Sequence, residues 1–172
     1  EWGAVAYLTQ SIHGRCTNST TCSEVGINNN SGYLTGYGAP AGSNDSVTNG
    51  AYNTTLGKDA STTKNIYGIY DMSGGAYEYV MGVYNKAIGY SGFSSLPDTK
   101  YYNNYTTTEY QGHALYGTKG WYYDGNDVLD TNKSWYVRGG EYNSKLSAGV
   151  FYYYTYYGSN VYYTVRYVIT NE

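Results

Sequence analysis

Charge is scarce in this chain. Only 13% of its 172 residues are charged, and 10 basic residues against 13 acidic ones leave a net charge of −3. A nucleic-acid partner requires a field of Lys and Arg facing the phosphates, and no such field exists here. Aromatic rings could stack on bases, but no basic groove accompanies them to guide a strand. No stretch approaches the run of about 20 apolar residues that crosses a bilayer, so no membrane insertion is expected of this segment. The chain opens on Glu1 with neither an initiating Met nor an export signal. It therefore reads as a processed or excised piece, the C-terminal part of a longer protein.

Cysteine is limited to the pair in Cys16-Thr-Asn-Ser-Thr-Thr-Cys22. The intervening turn formers favour a disulfide closing a small polar loop, as suits an exported, extracellular or surface-displayed protein. The alternative is two free thiols in a reducing cytosol. Phenylalanine is nearly missing too, with two residues against 27 tyrosines. Ordinary cores draw on Leu, Ile, Val and Phe, so this excess is not a packing composition.

Seven of the twelve residues from Tyr152 to Tyr163 are tyrosine. Tyr with Ser, Gly and Asn is the palette of binding surfaces, because a phenol offers broad, stiff contact area with a hydroxyl at its tip. The competing reading is cross-strand aromatic pairing, since Tyr also suits strands. Alternation allows both: with Phe151 and Tyr153 inward, Tyr152 and Tyr154 are expected outward.

Along the chain, EWGAVAYLTQSIHG reads as a helix that Gly14 stops. Residues 17–63 and 83–134 read mainly as loop. Gly74-Gly75 mark a turn before an alternating strand, Ala76 to Val80. WYVRGG, AGVFYYYTYYG and VYYTVRYVIT read as three terminal antiparallel strands. One helix, much loop and a small terminal sheet define an α+β class, and 172 residues fit a single domain spanning 1–172.

Four segments together resemble one family. NIYGIYDMSGGAYEYVMG (Asn65 to Gly82), WYVRGGEY (Trp135 to Tyr142), VRYVIT (Val165 to Thr170) and the opening EWGAVAYL are similar, in the right order, to the motifs of formylglycine-generating-enzyme-like domains. The resemblance implies a C-type-lectin-like fold. It does not carry the enzyme's chemistry, because that reaction uses a reactive cysteine pair late in the domain and no cysteine follows Cys22. A related iron-dependent branch uses clustered histidines, whereas His13 and His113 lie far apart in sequence. No catalytic residue is therefore assigned.

YDMSGGAYEYVMG is more closely similar to segments of lectin-like ligand-binding domains in bacterial surface, pilin-like and phage proteins. These include the variable proteins of diversity-generating retroelements. The resemblance implies hypervariable positions between the Arg-Gly-Gly strand and the last strand, where the tyrosines crowd. Adenine randomisation of Asn codons would never yield Lys, Glu, Gln, Met or Trp, and from Glu141 to Thr164 only Glu141 and Lys145 break that rule. It also implies a fixed scaffold at Trp135, Arg138, Gly139, Gly140, Ala148, Gly149, Phe151 and Arg166. The two arginines sit among apolar neighbours and need partners, for which Asp71 and Glu78 are the candidates.

The expected ligand-binding set is Glu141, Asn143, Lys145, Leu146, Tyr152, Tyr154, Tyr156, Tyr157, Asn160, Tyr162 and Tyr163. A protein ligand or cell-surface receptor is preferred over a glycan, since no acidic cluster awaits sugar hydroxyls. No cofactor is required. Calcium is the one metal to weigh, at Asp124, Asp127 and Asp130, although the full ligand pattern with its closing Glu is missing and Asp-Gly-Asn is ordinary turn chemistry. The rivals to a recognition domain are a fibre or pilus subunit assembled through its tyrosines, and a metal-dependent oxidase.

Overall fold

The computed structural model describes residues 2–26, 53–106, 122–126, 132–155 and 161–166. The first helix, α1 (Trp2–Thr9), buries Ala6 and Thr9. It is shorter than its sequence pattern suggests, and Ile12, inside the stretch expected to be helical, is 67% exposed. The cause is side-chain competition for helical carbonyls. Thr9 Oγ1 donates to Ala6 O at 2.5 Å and Ser11 Oγ to Leu8 O at 2.8 Å, where further turns would place amides. Gly14 then returns the chain so tightly that a Cβ there would sit 1.9 Å from the Leu8 carbonyl oxygen.

Cys16 and Cys22 are joined by a disulfide. Just before it, the buried Arg15 guanidinium donates to Ser23 O, Asp59 O, Ser61 O and the Asp59 carboxylate, at 2.6 to 3.2 Å. It thereby ties the disulfide loop to α2 (Thr55–Asp59), a short helix inside the region expected to be loop. Thr54 caps α2 by accepting from Gly57 N at 3.0 Å.

The strands are β1 (Tyr77–Tyr84), β2 (Asn103–Tyr105), β3 (Trp135–Gly139), β4 (Gly149–Thr155) and β5 (Tyr163–Thr164). They form one mixed sheet in the order β2-β1-β3-β4, with β5 also beside β1. The terminal sheet is therefore not wholly antiparallel. β3 pairs antiparallel with β4, but β5 lies parallel to β1, with Tyr77 opposite Tyr163. Short helices and this mixed sheet make an α+β architecture.

Two glycines at positive φ, Gly139 (82°) and Gly140 (73°), let the chain leave β3, and the β3–β4 register shifts between Arg138 and Gly139. Before that shift the alternation is regular. Glu78, Arg138 and Tyr153 lie across from one another on one face, while Tyr79, Val137 and Tyr154 share the other. Tyr136 and Tyr153 form a buried cluster with Val80, Tyr84 and Tyr105 against it. A second cluster gathers Ala6, Val25, Met72, Val150 and Phe151, with Trp2, Val5 and Tyr122 packed on it.

Candidate recognition surface

The face carrying Tyr79 and Tyr154 is rich in aromatic rings. Rings run in contact from Tyr152 to Tyr77 (centroids 5.6 Å), to Tyr163 (5.2 Å, stacked), to Tyr79 (5.2 Å), to Trp135 (6.3 Å) and to Phe93 (6.1 Å). Offset and tilted pairs at such separations each add roughly 0.5–1.5 kcal/mol beyond area burial, so the rings hold one another in place. Trp135 Nε1 also donates to Ser91 O at 2.9 Å. Sequence reasoning assigned Trp135 to the scaffold and left Tyr77 and Tyr79 out of the site. The alternation Tyr77-Glu78-Tyr79 was the signal that could have found them.

Tyr154, on this face, is 45% exposed, and Tyr162, whose carbonyl accepts from Tyr77 N, is 42% exposed, while Tyr163 is half-buried between Tyr77 and Tyr79. Tyr152 corrects the alternation argument, being only 7% exposed. Its ring packs against Tyr77 on that face and is covered by Gly125, where a Cβ would lie 2.7 Å from it. Its hydroxyl reaches Tyr77 Oη at 3.4 Å. Tyr152 is thus a support for the surface, not a contact on it. Tyr156, Tyr157 and Asn160 lie outside the described residues.

Glu141, Asn143, Lys145 and Leu146 belong to a 3-10 segment, Tyr142–Ser147, entered from Glu141 and fastened by Glu141 N donating to Ser144 Oγ at 3.1 Å. Ser144 Oγ also lies 3.4 Å from Tyr77 Oη, which joins this turn to the aromatic face. Burial pushes the Glu141 carboxyl above its usual range. Asn143 and Lys145 are exposed, and Leu146 stands 74% in solvent. Lys145 adopts φ 53° and ψ −130°, a conformation that turns normally reserve for glycine. Lys145→Gly is therefore expected to stabilise the fold by about 1 kcal/mol, seen as a Tm rise of about 2–4 °C in thermal denaturation.

The arginine expectation holds for one of the two. Arg166 Nε donates to Glu78 Oε2 at 2.8 Å, its Nη2 reaches Glu78 Oε1, and Asp71 contributes its main-chain carbonyl at 3.2 Å and its charge. With Glu78 engaged, Arg138 is left without a carboxylate among the described residues. Its guanidinium lies 5.6 Å from the ring centroids of both Trp2 and Tyr153 and donates to Val150 O at 3.4 Å. Burial lowers its pKa to about 10, and cation–π contact partly offsets that desolvation.

Asp124 is not positioned as a surface calcium ligand. It is 2% exposed, and its Oδ2 accepts from Phe151 N at 2.9 Å. Asp127 and Asp130 lie outside the described residues, and among the described residues no three His, Cys, Asp or Glu side chains gather as a metal site. His13 is exposed, and His113 also lies outside the described residues.

The arrangement can do one thing well. It presents mutually braced aromatic rings on a sheet whose flanking segments leave Leu146 and Val161 exposed, a surface that gains free energy when another molecule covers it. No protein-family model, curated protein or solved structure matches the chain.

Proposed function

We propose that this chain is a non-enzymatic recognition domain with a C-type-lectin-like fold. It belongs to the kind displayed on bacterial surfaces, pili or phage, and it binds a protein ligand through its tyrosine-rich face. The observation that carries the reading is the braced ring series from Tyr152 to Phe93, which Ser144 joins to the turn bearing Lys145 and Leu146, together with half-exposed Tyr154 and Tyr162 on or beside the strands that carry it. Aromatic anchors set in a near-neutral surface are the usual hot spots of protein interfaces. The choice of protein over glycan rests on Leu146 (74% exposed) and Val161 (89% exposed). A sugar stacked on a phenol would leave these aliphatics in water, whereas a protein partner would bury them. The order of the family-like motifs and the retroelement-compatible residues from Glu141 to Thr164 support the assignment to a diversified surface.

The test is a screen of the purified chain against arrayed cell-surface proteins and glycans, run beside the Tyr154→Ala/Tyr162→Ala variant. Protein ligands are expected to appear, and the double variant should weaken them by roughly 100-fold with little change in Tm. Ligands that bind both proteins equally would overturn the reading. Concentration-dependent polymers that vanish in the variant would instead favour a fibre subunit.

A further inference from the structure

We propose that the buried carboxyl of Asp124 is a pH-sensitive latch. When neutral it fastens residues 122–126 along the outer edge of β4, and when ionised it releases them and loosens Tyr152 beneath the aromatic face.

The latch is visible in the hydrogen bonds. β4 ends the strand order, and its edge is covered by this five-residue segment instead of another strand. Gly125 N donates to Ser147 O at 2.9 Å, Tyr153 N donates to Gly125 O at 2.9 Å, and Phe151 N donates to Asp124 Oδ2 at 2.9 Å. The carboxyl therefore takes the place a strand carbonyl would hold. Two glycines make room for it. A Cβ on Gly149 would lie 2.1 Å from both Asp124 carboxyl oxygens, and one on Gly125 would strike the Tyr152 ring at 2.7 Å.

That fit holds the carboxyl away from solvent, at 2% exposure. Among the described residues, Asp124 Oδ1 and the nearby Glu24 Oε1 are buried without a hydrogen-bond partner. An ionised carboxylate so desolvated is costly, so the group holds its proton. Two charged groups act on Asp124 from the elements around it: Glu24, which opposes its ionisation, and Arg138 of β3, which favours it. Burial first, then Glu24, pushes the Asp124 pKa up to about 8, against the pull of Phe151 N and Arg138. Burial likewise raises Glu24 to about 7, with Arg15 opposing.

The direction follows by linkage. Both folded values lie above the ordinary values of 3.8 and 4.5. Stability from the neutral forms is therefore complete below those ordinary values. It is lost as pH rises through about 7 for Glu24 and about 8 for Asp124. Any effect on ligand binding rests on the recognition reading above, but the latch itself is measured without a ligand.

The experiment is amide hydrogen exchange of the full chain, followed by mass spectrometry of the β4 region at pH 6 and pH 9 and corrected for intrinsic rates. Wild-type protection at β4 is expected to fall by roughly tenfold or more between the two, while Asp124→Asn keeps its protection constant. Glu24→Gln retains Asp124 but removes the charge that opposes its ionisation, so its loss of protection should move to lower pH. Equal protection of the wild type at both pH values would overturn the latch. So would an equal fall in Asp124→Asn. If Asp124→Asn does not fold, an unmoved midpoint in Glu24→Gln is sufficient to reject it. Because none of these readings involves a partner, the latch can fail while the binding screen succeeds, and the reverse.

Discussion

Tyr153→Ala is expected to cost about 4 kcal/mol of stability, and Tyr154→Ala less than about 1 kcal/mol, although the two residues are neighbours in one strand. The difference is the sidedness of the sheet. Tyr153 is 1% exposed and stacks on Tyr136 with centroids 4.7 Å apart. Its ring also lies against the Arg138 guanidinium, which has no carboxylate to fall back on among the described residues. Truncation would open a cavity and strip that buried cation of one of its two aromatic neighbours. Tyr154 is 45% exposed, so alanine there removes little buried surface. Thermal unfolding should show a Tm drop of roughly 8–16 °C for Tyr153→Ala and a few degrees at most for Tyr154→Ala. Tyr153→Phe is a useful control, since it removes the hydroxyl and keeps the buried ring in place. Removing the hydroxyl alone should cost far less than truncating the ring. Equal losses for the two alanine variants would mean that Tyr154 is core and that the proposed surface does not exist.

The opposite fates of Tyr153 and Tyr154 were legible because period-2 alternation is a local rule. The burial of Tyr152 was not, because it depends on a glycine from a distant segment, Gly125, whose missing side chain admits the ring. The same limit applies to Asp124. An Asp-Gly-Asn sequence looks alike whether it turns in water or clasps a strand edge, and only Phe151 N and Gly149 distinguish the two. The Glu78–Arg166 pair could be anticipated because charged residues are few and Glu78 lies among apolar neighbours. Arg138 could not, since nothing in a linear reading says that Trp2 and Tyr153 will flank it. β5 was expected to extend an antiparallel meander. It joins β1 instead, where its tyrosine stacks on the strand partner directly opposite, so side-chain pairing accompanies the parallel register.

Arg166→Ala is expected to cost about 3 kcal/mol, and adding Glu78→Gln to it should recover about half of that. The pair is lopsided, since the Glu78 side chain is 6% exposed and the Arg166 side chain 38%. Removing the arginine strands a carboxylate in the interior, which is the expensive way to break a buried pair. The partial exposure of the arginine sets the estimate at the low end of the usual range of roughly 3–5 kcal/mol. Replacing both members takes the charge away, and a neutral amide left in place carries a smaller desolvation cost. The consequence reaches the recognition face, because this clamp is one of the ties on residues 161–166. β5 contributes two residues, Tyr77 N donates to Tyr162 O at 2.9 Å, Tyr163 packs on Tyr77 and Tyr79, and Arg166 binds Glu78 and Asp71 O. Without it, Tyr162 and Tyr163 would lose their fixed position beside Tyr77 and Tyr79, and the surface would have to be ordered anew on each binding event. Urea denaturation of Arg166→Ala, Glu78→Gln and the double variant completes the cycle. If Arg166→Ala loses less than about 1 kcal/mol and the second substitution restores nothing, the C-terminal segment is held by other contacts and the clamp has no part in presenting its tyrosines.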